Sequence, residues 1–405
     1  MVIVAPNKKQ ISEEPIQQLL ETASLYLHIP FCHTRCHYCD FNTYAGILPL
    51  REPYVRALLH EIELTGAFAR HLDGKKRRSR TLFFGGGTPS LLSVEQIARL
   101  LQACSTSFDV DHDAEITLEA NPGTLSQEQL VGLRAAGINR LSMGAQSFDA
   151  ELLKTLGRVH TPEEITQAVR YARTAGFTSI NVDFMFGLPG QTMRHWRETL
   201  DQALDLRPEH LSLYSLIIEE GTPFYSWTAE GRITPADEDI CADMYEYADE
   251  RLQAAGYENY EISNWSLPGH ESRHNLTYWH NLPYFGMGAG AYSSFGGRRF
   301  SNVREPLEYI RLLKAHQRPE AADSEIVEIA QQMSETAFLA LRTAKGLHLP
   351  TFEQRFSQPF TQFVGNRLHL VEEAGLLEQD QDWLRLSKRG RLLGNEVFLR
   401  LLPDE

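Results

Sequence analysis

The stretch HIPFCHTRCHYCDF, residues 28–41, holds three of the five cysteines of this 405-residue chain. Cys32, Cys36 and Cys39 follow the strand-like SLYLHIPF (24–31), with three residues in the first gap and two in the second. Clustered thiolates bind either zinc or an iron–sulfur cluster. A structural zinc ion would need a fourth ligand, whereas a [4Fe–4S] cluster on three thiolates leaves one iron open to a small molecule. The sequence offers these candidates for a fourth zinc ligand: Cys104, Cys241, His33, His37 and Asp40.

The composition excludes several classes of protein. Hydrophobic residues make up 42% and charged residues 23%, which is typical of a globular protein of about two or three domains. A net charge of −14 argues against a nucleic-acid-binding surface. We see no signal peptide at the N-terminus and no apolar stretch of about 18 residues. The odd number of cysteines, three of them clustered, predicts reduced thiols and a cytoplasmic protein.

Strand-like and helix-like segments alternate along the first half of the chain. The connections are short, which predicts right-handed βαβ units and a parallel sheet. The repeats are too few for a closed eight-unit barrel, so an open partial barrel or a doubly wound sheet is expected. Capping boxes are predicted at Ser93–Gln96 and Thr161–Glu164. The predicted strands are 24–31, 80–86, 115–122, 140–146, the first part of 179–190, which is a strand and a turn, and 210–218.

Residues that can bind a ligand or a cofactor gather where these strands end. In either fold, ligands bind at the carboxyl ends of parallel strands. Five separate segments would therefore point at one site. They are 30–39, 85–89, 119–122, Gln146, and Asp183 with 187–190.

The C-x3-C-x2-C spacing after a first strand resembles the radical S-adenosylmethionine (SAM) superfamily. YLHIPFCHTRCHYCDF, GGGTPS, LSMGAQSF, LGRVHT and INVDFMFGLPGQT also resemble, in order, the coproporphyrinogen III dehydrogenase-like branch. The resemblance implies a partial (β/α)6 barrel, a [4Fe–4S] cluster on Cys32, Cys36 and Cys39, and SAM on the fourth iron. The SAM contacts that it implies are Tyr26, Gly86, Gly87, Thr88, Glu119, Gln146, Arg158 and Asp183.

Two departures from the porphyrinogen oxidases put decarboxylation in doubt. Phe41 stands where those enzymes carry another cysteine, and the segment before the first strand is short. Both features match the HemW family of heme chaperones, which the chain resembles. This resemblance implies a protein that binds heme and delivers it to an acceptor protein.

SRHNLTYWHN, residues 272–281, resembles the HNxxYW segment that is associated with heme in HemW proteins. Imidazole is a common axial ligand of heme iron, and aromatic rings suit a porphyrin face. With the resemblance, His274 is the predicted axial ligand, Tyr278 and Trp279 lie near the ring, and His280 is a weaker competitor. From the residues alone, a structural turn with Trp279 in the core fits better.

We divide the chain into an N-terminal segment (1–23), a radical SAM core (24–256), an extension with the heme motif (257–313) and a C-terminal domain (324–405). A polar stretch, KAHQRPEAADSE, is typical of a linker and precedes the last domain. That domain is predicted to be small, mostly helical and winged-helix-like, as the family resemblance implies.

Three functions remain open from the sequence. The first is a heme chaperone with a SAM-coordinated [4Fe–4S] cluster. The second is an oxygen-independent coproporphyrinogen III dehydrogenase or another radical SAM enzyme that acts on a tetrapyrrole. The third is a zinc-stabilised binding protein with no radical chemistry. Because only the second of the three is an enzyme, no catalytic residue is assigned and enzymatic activity stays open. The partners expected are heme, a heme-acceptor protein, a flavodoxin-like or ferredoxin-like electron donor and a transient membrane or membrane-protein contact, but no nucleic acid.

Overall fold

The computed structural model describes residues 15–402, apart from the side chains of residues 72 and 73. Residues 1–14 of the predicted N-terminal segment lie outside this range. The strands are β1 (Ser24–Ile29), β2 (Phe31–Cys32), β3 (Tyr44–Ala45), β4 (Arg78–Gly86), β5 (Asp109–Ala120), β6 (Arg140–Gln146), β7 (Ile180–Phe186), β8 (His210–Ser215), β9 (Glu258–Glu261), β10 (Asn264–Ser266), β11 (Tyr284–Met287), β12 (Tyr292–Phe295), β13 (Arg298–Ser301), β14 (Glu325–Ile326), β15 (Leu347–His348), β16 (Leu377–Asp380) and β17 (Trp383–Leu386).

The longer helices alternate with the strands of the core, and shorter ones follow in the C-terminal part. They are α1 (Ile16–Leu20), α2 (Arg51–Asp73), α3 (Val94–Ser107), α4 (Gln127–Ala136), α5 (Ala150–Leu156), α6 (Pro162–Thr174), α7 (Met193–Asp205), α8 (Pro223–Ala229), α9 (Glu238–Ala254), α10 (Arg273–Trp279), α11 (Pro306–Lys314), α12 (Ile329–Leu341), α13 (Leu349–Phe356), α14 (Phe360–Val364), α15 (His369–Glu373), α16 (Lys388–Leu392) and α17 (Gly394–Phe398).

A parallel sheet forms the core, as predicted. The strands β1, β4, β5, β6, β7 and β8 lie side by side in chain order, and each pairs with its neighbour in parallel. These are the six strands of the predicted partial (β/α)6 barrel, whose fold class is confirmed. Their carboxyl ends therefore lie along one rim of the sheet, where the sequence places the candidate site.

The sheet extends further than the six predicted strands. β11 adds a seventh parallel strand beside β1, and β12, β13 and β14 continue from it in antiparallel pairs. At the other edge, β10 pairs with β8 and β9 with β10, both antiparallel. The range 257–313, which the sequence sets apart as an extension, thus supplies strands to both edges of the same sheet.

Local signals fix where the helices begin. Ser93 with Gln96, and Thr161 with Glu164, form the predicted capping boxes at α3 and α6. Each box satisfies backbone N–H groups that the first turn leaves without intrahelical partners. α3 then buries its apolar face, including Cys104, against the main core.

The C-terminal part has an apolar core of its own, built from α12 to α15, α17 and a three-stranded sheet in the order β15, β17, β16. The sequence LLEQDQDWLRLSKRG, residues 376–390, predicts a hairpin, and the hairpin is present, with Leu377 opposite Leu386. The sequence of residues 361–375 predicts a single helix, and this prediction is wrong, since two short helices, α14 and α15, occupy the range. α14 ends at Val364 because the next residue, Gly365, has a φ of 54°, which lies outside the right-handed helical range.

Candidate cofactor site at the carboxyl ends of the strands

The loop that carries Cys32, Cys36 and Cys39, here called the cysteine loop, follows β1 and is anchored to the sheet through His28. The His28 Nε2 is 2.9 Å from the carbonyl oxygen of Asn42, just beyond the last cysteine. Asn42 in turn donates to the carbonyl of Ala289, at 2.9 Å. The hydroxyl of Tyr54 donates to the His28 carbonyl, also at 2.9 Å. His28 is not among the predicted site residues, because a lone buried histidine in a strand carries no signal of its own.

The glycines of FFGGGTPS bring the end of β4 against the cysteine loop. The Gly87 N–H donates to the carbonyl of Ile29 at 2.8 Å. A Cβ on Gly87 would lie 2.6 Å from the Phe31 oxygen and 3.0 Å from the Cys32 sulfur. Gly86 has a φ of 114° and packs on the ring of His28. These two positions therefore exclude side chains, as expected for a backbone that meets a cofactor loop closely.

Arg158 connects the cysteine loop to the ends of β5 and β6. Its Nη1 lies 3.4 Å from the Cys36 sulfur. Its Nη2 donates to the Asn121 side-chain oxygen at 2.6 Å and to the Gly144 carbonyl at 2.5 Å. Asn121 also donates to the Thr88 hydroxyl at 3.0 Å. Arg158 therefore places a positive charge beside a thiol, where a thiolate or a carboxylate would be stabilised.

Two carboxyl groups lie close enough to interact: Glu119 is next to the last residue of β5, and Asp183 lies in the middle of β7. Glu119 accepts a hydrogen bond from the Gly86 N–H at 3.0 Å, and Asp183 accepts one from Asn181 Nδ2 at 2.6 Å. Burial raises the pKa of Glu119 to about 8, and the negative charge of Asp183 contributes to that rise. Burial also raises the pKa of Asp183. A cation bound between these groups would favour their charged forms, which suits the positively charged SAM.

Gln146 and Tyr26 complete the predicted set. Gln146 ends β6 with a φ of 68°, a left-handed conformation that is uncommon for a residue other than glycine. Such strained positions cluster at functional sites. Tyr26 lies deeper in β1, with its hydroxyl 3.0 Å from His28 Nδ1 and its ring centroid 6.5 Å from that of His274.

The candidates for a fourth zinc ligand lie elsewhere or are engaged. Cys104 is enclosed in the core, where burial raises its thiol pKa to about 12. Cys241 lies on α9 against Gly187. His37 Nδ1 is hydrogen-bonded to the Thr155 carbonyl at 2.9 Å. His33 and Asp40 are exposed in the loop itself. Within residues 15–402, no three His, Cys, Asp or Glu side chains group as a site for a single metal ion.

The predicted heme motif lies at the opposite end of the strands from the cysteine loop. His274 is buried in α10, and its Nδ1 is 2.8 Å from the Thr81 hydroxyl. Its Nε2 is 2.9 Å from the hydroxyl of Tyr278. Thr277 contacts the hydroxyl of Ser24, the first residue of β1, at 2.9 Å. α10 therefore packs against the amino-terminal halves of β1 and β4.

Both nitrogens of the His274 ring are thus occupied by protein groups. Burial lowers its pKa to about 3, and the charge of Arg140 contributes to that fall. Trp279 packs under the guanidinium of Arg342, and its buried Nε1 has no partner among the described residues. In this arrangement neither His274 nitrogen is free for iron, so the predicted ligation requires a rearrangement of α10.

Comparison with known proteins agrees with this architecture. The radical SAM superfamily model matches residues 26–203, and the model described as the HemN C-terminal domain matches residues 330–393. The heme chaperone HemW of Bacillus subtilis is 40% identical over 382 residues, which cover 94% of this chain and 99% of that protein. The Escherichia coli HemW is 36% identical over 403 residues, covering 95% and 99% of the two chains. The chain belongs to the HemW family.

The similarity of this HemW-family chain to solved structures extends over both domains. Coproporphyrinogen III oxidase (HemN) from Escherichia coli, a radical SAM enzyme, superposes with a TM-score of 0.82 and 25% identity. The match covers 95% of this chain and 92% of HemN. As a radical SAM protein, the chain takes a [4Fe–4S] cluster and SAM. The three thiols of one loop fit the cluster, because three irons take one thiolate each and the fourth is left for SAM.

In the part of the chain that the structure describes, no helix has the length and apolar character needed to cross a bilayer.

Proposed function

We propose that this protein is a heme chaperone, which binds heme and delivers it to an acceptor protein. The observation that carries the proposal is the similarity to HemW chaperones along nearly the whole chain, at 36% and 40% identity for the two relatives above. Phe41 also supports it, since this residue stands where the porphyrinogen oxidases carry an additional cysteine.

Cys32, Cys36 and Cys39 are the cluster ligands in this proposal. Gly86, Gly87 and Thr88 receive the methionine end of SAM, because the two glycines allow the backbone to approach a ligand closely. When bound by these cysteines, a reduced cluster would supply the electron for cleavage of the SAM sulfonium. The residues assigned to orient SAM and exclude water around it are Tyr26, Glu119, Gln146, Arg158 and Asp183.

Removing the Asp183 carboxylate should weaken SAM binding. Asp183→Ala deletes a charge-assisted hydrogen bond, so we expect a loss of about 1.5–3 kcal/mol. Calorimetric titration of SAM into anaerobic, cluster-loaded protein measures this loss. Asp205→Ala, on the exposed last residue of α7, is the matched control and should leave the affinity unchanged. An unaltered affinity in Asp183→Ala would remove Asp183 from the site.

His274 remains the proposed axial ligand of heme, with Tyr278 and Trp279 beside the ring. Binding of iron by His274 requires a local opening of α10, since the Thr81 and Tyr278 hydroxyls must release the imidazole first. α10 has seven residues, and short helices depend on tertiary contacts rather than on their own stability. A local rearrangement of this segment is therefore compatible with an intact sheet.

The further partners are assigned by chemistry. A flavodoxin-like or ferredoxin-like donor would reduce the cluster, and heme delivery would bring the protein into transient contact with a membrane or a membrane protein. The reduced cysteines favour the cytoplasm.

A transfer assay tests the proposed function. Cluster-loaded protein should bind heme stoichiometrically, as followed by the Soret band, and should then pass it to an added apo-heme protein. A SAM-free sample and a heme-only sample serve as controls for spontaneous exchange. If heme bound to the protein reaches the acceptor no faster than free heme does, the result would argue against a chaperone.

A further inference from the structure

A chain of hydrogen bonds runs from Asp183, at the proposed SAM site, to the start of α10. Asn181 Nδ2 donates to Asp183 at 2.6 Å, and the Asn181 oxygen is 2.7 Å from His210 Nδ1. The His210 Nε2 is 2.8 Å from the Tyr260 hydroxyl. That hydroxyl accepts the Ser272 N–H at 3.2 Å. Ser272 is the N-cap of α10, so the chain ends one residue before that helix begins.

The directions of the bonds follow from the Asp183 end and from a neutral His210 ring. A charged Asp183 carboxylate can only accept, so it accepts from Asn181 Nδ2, and the Asn181 oxygen, which can only accept, takes the proton of His210 Nδ1. Nε2 of a neutral ring then carries no hydrogen, so Tyr260 donates to it and accepts the Ser272 N–H. The ring is neutral because burial lowers the pKa of His210 well below its ordinary value. Aligned hydrogen bonds of this kind polarise one another, so a change at one end is felt at the other.

The start of α10 depends on this support. The N–H groups at a helix N-terminus have no partner within the helix. Glu115 accepts those of Arg273 and His274, at 3.1 and 2.9 Å, and Tyr260 accepts that of Ser272. Of these two acceptors, Tyr260 is the one whose hydrogen bonds lead on to Asp183. His210 and Ser272 have no exposed surface, so water does not compete at these two members of the chain, whereas Asp183 and Tyr260 are partly exposed.

We infer that His210 and Tyr260 are positioning residues that link SAM binding at Asp183 to the N-terminus of α10, and thus to His274. The inference rests on the proposed SAM and heme roles. Asn181 holds one oxygen of Asp183 and so fixes the rotamer with which the carboxylate meets SAM. If the hydrogen-bond chain favours SAM binding at Asp183, then by thermodynamic reciprocity SAM binding strengthens the hydrogen bond from the Ser272 N–H to Tyr260 at the other end.

A double-mutant cycle tests this link. SAM is titrated into cluster-loaded wild-type protein, Tyr260→Phe, Asn181→Ala and the double variant. Tyr260→Phe should weaken SAM binding by about fivefold, although its hydroxyl is linked to Asp183 only through the side chains of His210 and Asn181. In the Asn181→Ala background, the same change should alter the affinity by less than about twofold, because the chain is already broken. Equal effects in both backgrounds would overturn the inference.

Tyr257→Phe is the matched control, since it removes a buried tyrosine hydroxyl bonded to the Pro208 carbonyl outside the chain. It should leave SAM affinity unchanged. Hydrogen exchange gives the second readout: SAM should slow the amides of residues 273–279 in wild type and in Tyr257→Phe, but not in Tyr260→Phe. His210→Gln provides the same comparison if Tyr260→Phe does not hold a cluster.

The failures are distinguishable. Wild-type protein that does not bind SAM would refute the proposed SAM site, and the link with it. Wild-type protein that binds SAM while Tyr260→Phe behaves like Tyr257→Phe, in both affinity and exchange, would refute the link alone.

Discussion

Replacing Cys32, Cys36 and Cys39 together with alanine should abolish the iron–sulfur cluster completely. Anaerobically reconstituted wild-type protein should be brown and hold about four irons per chain. The triple variant should be colourless, because no other thiol lies on the loop beside Gly87 and Arg158. Iron and sulfide analysis, with the visible absorption spectrum, measures the outcome.

The two remaining cysteines provide the control. Cys104→Ala and Cys241→Ala should keep the cluster, since Cys104 is enclosed in the core and Cys241 packs against Gly187. Zinc in place of iron in the purified protein, or a cluster that persists in the triple variant, would show that the cofactor assignment is wrong.

His274→Ala should lower heme affinity and shift the Soret band, because the loss of an axial ligand changes the electronic state of the iron. It should also destabilise the protein by about 2–4 kcal/mol, since it opens a cavity and leaves the Thr81 and Tyr278 hydroxyls without the imidazole as a partner. Heme titration and denaturant unfolding measure the two effects. The cluster should survive in this variant.

Two control variants separate a ligand from a structural histidine. Tyr278→Phe removes the hydroxyl that occupies His274 Nε2, so heme affinity should stay level or rise while stability falls by about 1 kcal/mol. His280→Ala should change the heme spectrum less than His274→Ala does. An unchanged spectrum and affinity in His274→Ala would move the axial ligand to another residue and leave the chaperone proposal standing.

The parallel core could be predicted from the sequence because strand-like and helix-like segments alternate with short connections, and several of the helices carry their own start signal. Ser93 and Thr161 mark helix starts without help from the rest of the fold. β11 escapes prediction because its YFGM is short and runs into the glycines 288 and 290, which favour a loop. Strand pairing over more than 200 residues, as between Leu25 and Phe285, leaves no local pattern.

The grouping of the candidate site residues was predictable for a related reason. Glu119 and Gln146 lie at the carboxyl ends of neighbouring parallel strands, so the order of the strands along the chain is enough to group them. Asp183 lies in the middle of the next strand, β7, and strand order alone does not give its closeness to Glu119. The burial of α10 against the sheet could not be predicted from the sequence. His274 is buried through contacts with Thr81 and Glu115, which lie more than 150 residues earlier, and the motif HNLTYW is equally compatible with an exposed turn.

The central claim is that the protein handles heme without decarboxylating a porphyrinogen. Cluster-loaded protein with SAM and a reductant should be incubated anaerobically with coproporphyrinogen III, with parallel titration by heme. Stoichiometric heme binding and no decarboxylated product are expected, since Phe41 takes the place of the additional cysteine that the oxidases carry. Robust formation of decarboxylated product would contradict the chaperone proposal and identify the protein as an oxygen-independent coproporphyrinogen III dehydrogenase.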